Sequence, residues 1–248
     1  MSCAPQAEYA VAVDAIQRGD LETLGAELRG NPALATGRAD GARTLLHVVA
    51  DWPGHRPRAA ELVAMLVAHG ADPSSRFIGR HEETPLHWAA SCDDVEALDA
   101  LLDAGADIEA PGAVIGNGTP LADAVAFGQW QTAGRLVERG ARTTLWQAAA
   151  LGLLDRMRAH FSRDSLPAWS PRPSQPHSPA PDEITHAFWC ACHGGQLEAA
   201  ADLHARGADP GWIGYDGLTA LDAARRSGSE PVVEWLAAHG ARSAGDSA

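Results

Sequence analysis

Asp123 is the residue whose type and setting best suit acid–base chemistry. It stands four positions after Thr119, where the preceding stretch carries Trp88 four positions after Thr84. A carboxylate among large apolar side chains has a raised pKa and can act as a general acid or base. The alternative is an ordinary aspartate in water. His47 and His87 each follow a threonine by three positions, while His81, His186 and His193 are further imidazoles that the fold would have to bring near. Cys190-Ala191-Cys192-His193 places two thiols beside an imidazole. Side chains two apart on a helix point in different directions, and CxxC spacing is lacking, so buried thiols rather than a metal site are expected. The sequence has no His-Glu-x-x-His motif, nucleophile elbow or phosphate loop, and Gly112 to Gly118 reads as a turn. All 19 basic residues are Arg, so Schiff-base chemistry and a phosphate-loop lysine are excluded. No metal and no cofactor is expected.

These residues are carried by a unit of about 33–35 residues that recurs along nearly the whole chain. Its plainest copy is Thr84-Pro85-Leu86-His87-Trp88-Ala89-Ala90, then an apolar helix, then Gly105-Ala106-Asp107. Starts fall near Ala10, Thr44, Thr84, Thr119, Thr143, His186 and Thr219, and the closing Gly recurs at Gly70, Gly105, Gly140, Gly207 and Gly240. Thr84 suits a helix N-cap, and Pro85 suits the first turn, where its missing N–H needs no partner. Val95, Leu98, Leu101 and Leu102, like Leu62, Met65 and Leu66, are spaced as one apolar helical face. Gly70, Gly105 and Gly140 fit the left-handed residue that ends a helix. A single unit cannot bury its apolar face, and stacking supplies the other side.

This set resembles the ankyrin repeat, whose Thr-Pro-Leu-His signature stands almost intact at Thr84 to His87, with partial matches at Thr44 to His47 and Thr119 to Leu121. The resemblance covers roughly residues 8–242. It implies an all-α solenoid of about seven stacked helix-turn-helix repeats with hairpin fingers. It also implies a concave groove formed by first helices and fingers, and a structural role for His47 and His87 in tying neighbouring repeats together. Trp88 and Cys92 are expected to face that groove. So are Val48 and Trp52, Asp123 and Phe127, Gln147 and Leu151, and Cys190 and Gly194. Phe77, Ile78, His81, Val114, Ile115, Trp212 and Tyr215 come from the adjoining fingers. Trp146 and Trp189, at the histidine position of their units, are expected to wedge between repeats, and Trp235 to pack on a second helix. Trp52, Phe77, His81, Trp88, Asp123, Phe127, Gln147, Trp212 and Tyr215 form the candidate binding set, because large apolar groups in a wet groove mark binding sites.

The array is expected to comprise repeats at 1–161, a Pro-rich insertion at 162–183, further repeats at 184–242 and a fraying polar tail at 243–248. The insertion holds six prolines, a density that excludes helix. It is either a tolerated surface loop or a lid anchored by Trp169. A smaller insertion, Asp51 to Pro57, separates the helices of the second unit. Gly140-Ala141-Arg142-Thr143 leaves no room for a finger. The net charge of −13 argues against non-specific binding to nucleic acid or anionic membranes. Four cysteines are too few for a disulfide framework. With no signal peptide or membrane span in sight, a cytoplasmic protein is expected, and the Arg-rich, Lys-free composition suits a GC-rich bacterial genome.

Two functions follow. The first is a scaffold that recognises a protein partner through its concave face. The second is an apolar small-molecule pocket around Trp88, Asp123 and Phe127, either binding a ligand or catalysing proton transfer, isomerisation or hydrolysis.

Overall fold

The computed structural model describes residues 7–161 and 182–247. Cys3, Trp169 and the prolines of the insertion lie outside the described residues, and with them the proposed lid. The chain divides into two compact units, Met1–Ala141 and Arg142–Ala248. The boundary falls at the stretch that has no room for a finger.

The first unit contains α1 (Ala10–Arg18), α2 (Leu21–Gly30), α3 (Ala33–Thr36), α4 (Leu45–Ala50), α5 (Ala59–Ala68), α6 (Pro85–Ser91), α7 (Val95–Asp103), α8 (Pro120–Ala126) and α9 (Trp130–Glu138). The first helices pack in the order α1, α4, α6, α8, and the second helices in the order α2, α5, α7, α9. Close packing of the first helices needs small side chains, and Ala89, Ala90 and Ala124 are fully buried there. Leu62, Leu66, Leu98 and Leu101 are buried on the second helices, as their spacing predicts. Gly70, Gly105 and Gly140 have φ of 96°, 92° and 100°, the left-handed conformation that stops each second helix at little cost only for glycine.

The second unit contains α10 (Leu145–Ala150), α11 (Leu154–His160), α12 (Glu183–His193), α13 (Leu197–Ala205), α14 (Ala220–Arg226) and α15 (Glu230–Ala238). Here α12 packs against α10 on one side and α14 on the other. The insertion after Phe161 therefore interrupts the sequence without interrupting the stack. Among the described residues no strand occurs, and no helix is long and apolar enough to cross a membrane.

Three local expectations are corrected. The fifth unit starts at Thr144, not Thr143, because Gln147 completes its cap by accepting from Thr144 N (2.8 Å) and Oγ1 (3.0 Å). Helix α12 begins one turn ahead of His186, because Asp182 accepts from Thr185 N at 2.7 Å. The tail does not fray at Ser243: Ser243 Oγ and Ala244 N both donate to the Asp222 carboxylate, at 2.5 and 2.9 Å. Residues Ala244–Ser247 then form a 3₁₀ turn.

Candidate functional site

The first unit gathers most of the candidate residues, and its fingers fix their places. Each first helix is tied to the next unit by the histidine of its opening motif. Thr44 N and Thr84 N donate to Nδ1 of His47 (3.3 Å) and His87 (3.1 Å), which leaves Nε2–H of each ring as the donor. Those Nε2 groups reach Glu83 O (3.1 Å) and Gly118 O (3.4 Å), the carbonyls just ahead of the next threonines. Burial lowers both imidazoles to about 4, so they are neutral at pH 7. The structural role that the resemblance implies for these rings is therefore visible in their bonds. Adjacent fingers are also tied laterally, by Ile78 N to Ala42 O (3.3 Å) and by Arg76 Nη1 to Pro111 O (2.7 Å). Gly112, at φ 130°, lies so close to Glu82 O that a Cβ there would overlap it.

On this scaffold the apolar groups fall into two rows. Trp52 (79% exposed) follows the end of α4, and Phe127 (47%) caps the end of α8, with half-exposed Cys92 at the same register on α6 between them. Gly54 of the small insertion lies against Cys92. Burial and the nearby Asp51 and Asp94 push the Cys92 thiol up to about 11, so it is not a nucleophile. Ile78 and Val114 are exposed on successive fingers. Between the rows, Trp88 packs against Phe77 (centroids 5.5 Å apart) and edge-on to His47 (5.0 Å), with all but His47 half exposed. His81 is half exposed on the same finger.

Asp123 is not on the open face. It is fully buried, and its Oδ1 accepts from Ile115 N at 3.2 Å. The finger turn that precedes α8 folds over it, which no helical periodicity encodes. Its Oδ2 has no hydrogen-bond partner. Burial first, then the charge of Glu83, raise its pKa to about 7, while the Ile115 and Val114 N–H groups oppose the shift. Glu83 itself is half buried, and burial raises its pKa against the opposing Trp88 indole N–H. In the sequence Glu83 is one of two adjacent glutamates, and its spacing does not set it apart from Glu82. The signal that could have found it is its place just before Thr84, where the His47 bond holds the backbone against the stack. A buried carboxyl of this kind is tuned for acid–base work, but the finger leaves no path for a substrate to reach it.

Val48 is buried rather than facing the groove. Gln147 is buried too, its amide spent on the cap. Trp212 is buried at 9% exposure, because it packs edge-on to Tyr215 (5.5 Å) and His186 (6.2 Å) inside the second unit. Tyr215 remains half exposed. Trp189 donates its indole N–H to Leu218 O at 3.0 Å, the bond that histidine makes elsewhere, and Trp146 is buried against the His186 ring. Burial pushes the Cys190 and Cys192 thiols upward, as expected of structural thiols. Among the described residues no group of three or more His, Cys, Asp or Glu is placed to hold a metal ion. A cavity of about 260 Å³ lies in the second unit, lined by Pro210, Ile213 and Arg242 among others.

Stacked helix pairs, left-handed glycine stops, fingers and the threonine–histidine ties define a repeat solenoid. A family model for ankyrin repeats, in three copies, matches residues 13–112 and 46–146, together more than half of the chain. The chain belongs to the ankyrin repeat family and is an all-helical ankyrin solenoid. Proteins of this family are in general scaffolds for protein–protein interaction. A comparison with curated proteins finds no match.

Proposed function

We propose that this chain is a non-catalytic scaffold that recognises a protein partner through the concave face formed by its first helices and fingers. The observation that carries the reading is the exposure of Trp52, Ile78, Val114 and Phe127 around half-exposed Trp88 and Phe77 on the first unit. Large apolar groups left in water at interaction positions support a binding surface. The lateral finger bonds support a preformed surface, which lowers the ordering cost of association. The acid–base reading lacks a reachable group, since Asp123 is sealed.

The test is capture of partners from the native host with the intact protein and with Trp52→Ala and Phe127→Ala. Both side chains are exposed, so folding should persist, as circular dichroism will verify. The expected result is loss of one reproducible partner in each variant. Equal recovery by all three proteins would remove this face from the account.

A further inference from the structure

Large apolar side chains are exposed in both rows of the first unit's wall, and a carboxylate stands beside Trp88. Glu83 is half exposed beside the Trp88 ring, with fully buried Asp123 behind it. Neither carboxylate has an ion-pair partner among the described residues. Arg43 is engaged with Asp40 (2.7 Å) and Asp51 (2.6 Å), and Arg76 with Pro111 O, Glu82 O and the Glu82 carboxylate, while the exposed Arg80 of the same finger pairs with neither Glu83 nor Asp123. Arg80 and His81 lie on the finger between Ile78 and Glu82. Behind Glu83 the buried Asp123 Oδ2 has no hydrogen-bond partner, so this negative pair is not neutralised from within the fold. The chain's net charge of −13 favours a cationic visitor in general, and this pair gives that preference a place.

We propose that this wall binds an extended segment of a protein partner that carries one Lys or Arg between apolar residues, with the cation seated on Glu83 against the Trp88 ring. The inference rests on the scaffold reading above and names what the scaffold selects. Flanking apolar side chains meet Trp52 and Phe127 on one side and Ile78 and Val114 on the other. The cation gains an ion pair in a half-buried setting, where charges attract more strongly than on open surface, and a cation–π contact with Trp88.

Asp123 answers the charge without touching it. The groups facing its carboxyl are the Ile115 and Val114 N–H donors and the Glu83 carboxylate, while His87 is neutral and bonded to Gly118 O. A cation on Glu83 cancels the repulsion that helps keep Asp123 protonated. Burial still disfavours the carboxylate, so part of the Asp123 population gives its proton to the buffer. Binding near neutral pH is thereby coupled to proton release.

The experiment selects short random peptides on the intact protein by display, then titrates the synthetic winners calorimetrically in two buffers of different ionisation enthalpy. Winners should carry Lys or Arg flanked by apolar residues. Replacing that cation by norleucine, or making Glu83→Gln, should weaken binding about tenfold or more. Glu22→Gln, at an exposed position on α2, should leave it unchanged. Proton release should vanish in Asp123→Asn while binding persists. Winners that lack a cation and ignore Glu83→Gln, yet lose binding in Trp88→Ala and Phe127→Ala, would overturn the cation seat and leave the scaffold reading standing. Absence of any binder, or binding indifferent to Trp88→Ala and Phe127→Ala, would overturn both.

Discussion

Trp189 donates its indole N–H to the carbonyl oxygen of Leu218 at 3.0 Å, across the junction of two helix pairs. His47 and His87 make the corresponding bonds to Glu83 and Gly118. The chemistry kept is an N–H aimed at the carbonyl ahead of the next threonine. The ring that carries it is interchangeable where shape allows.

Trp189→Phe should therefore cost about 0.5–1.5 kcal/mol, because it removes one of two donors to Leu218 O, leaving Gly214 N at 2.8 Å, while keeping most of the apolar bulk. Trp189→His should recover part of that loss. Urea unfolding of the intact protein checks both, and a phenylalanine variant as stable as the parent would assign Trp189 to packing alone.

Leu101 is fully buried on α7. Leu101→Ala should cost about 2–5 kcal/mol in the same assay, through lost transfer energy and the cavity left behind. A loss below about 1 kcal/mol would contradict its burial.

His47 and His87 have folded pKa values near 4, below the ordinary 6.5. The unfolded chain binds more protons between those values, so their stabilising contribution is present above pH 6.5 and lost as pH falls towards 4. Asp123 runs the other way. Its folded value of about 7 exceeds 3.8, so its contribution is present below pH 3.8 and lost as pH rises to 7. Asp123→Asn should be more stable than the parent by about 1–3 kcal/mol at pH 8 and should steepen the loss on acidification. Urea midpoints between pH 4 and pH 8 measure this, and parallel curves would contradict the burial of the carboxyl.

Asp222 is held at about 2: burial alone would raise it, but bonds from Ala244 N, Ser243 and Thr219 outweigh that. The depressed value means that its contribution is present above pH 3.8 and lost as pH falls towards 2. Asp222→Ala should release the tail, read as faster hydrogen exchange at Ala244. Unchanged exchange there would show that the tail is held by other contacts.

The sequence by itself determined the helix pairs, their caps, the glycine stops and the leucine core. Those features repeat within a few turns of one chain, and local chemistry suffices to specify them: Thr44 and Thr84 cap, Gly105 stops, Leu98 and Leu101 share a face. The exposure of Trp52 and Phe127 was legible for the same reason, since register along a first helix sets which side they take. Only the tertiary structure decided that Asp123 is covered, that Glu83 is half buried against Trp88, that Gln147 is a cap and that Trp212 is buried. In each case an irregular loop, or a one-residue shift in where a helix starts, sets the environment. Such segments carry no periodic signal, and whether a side chain meets water depends on where they fold back.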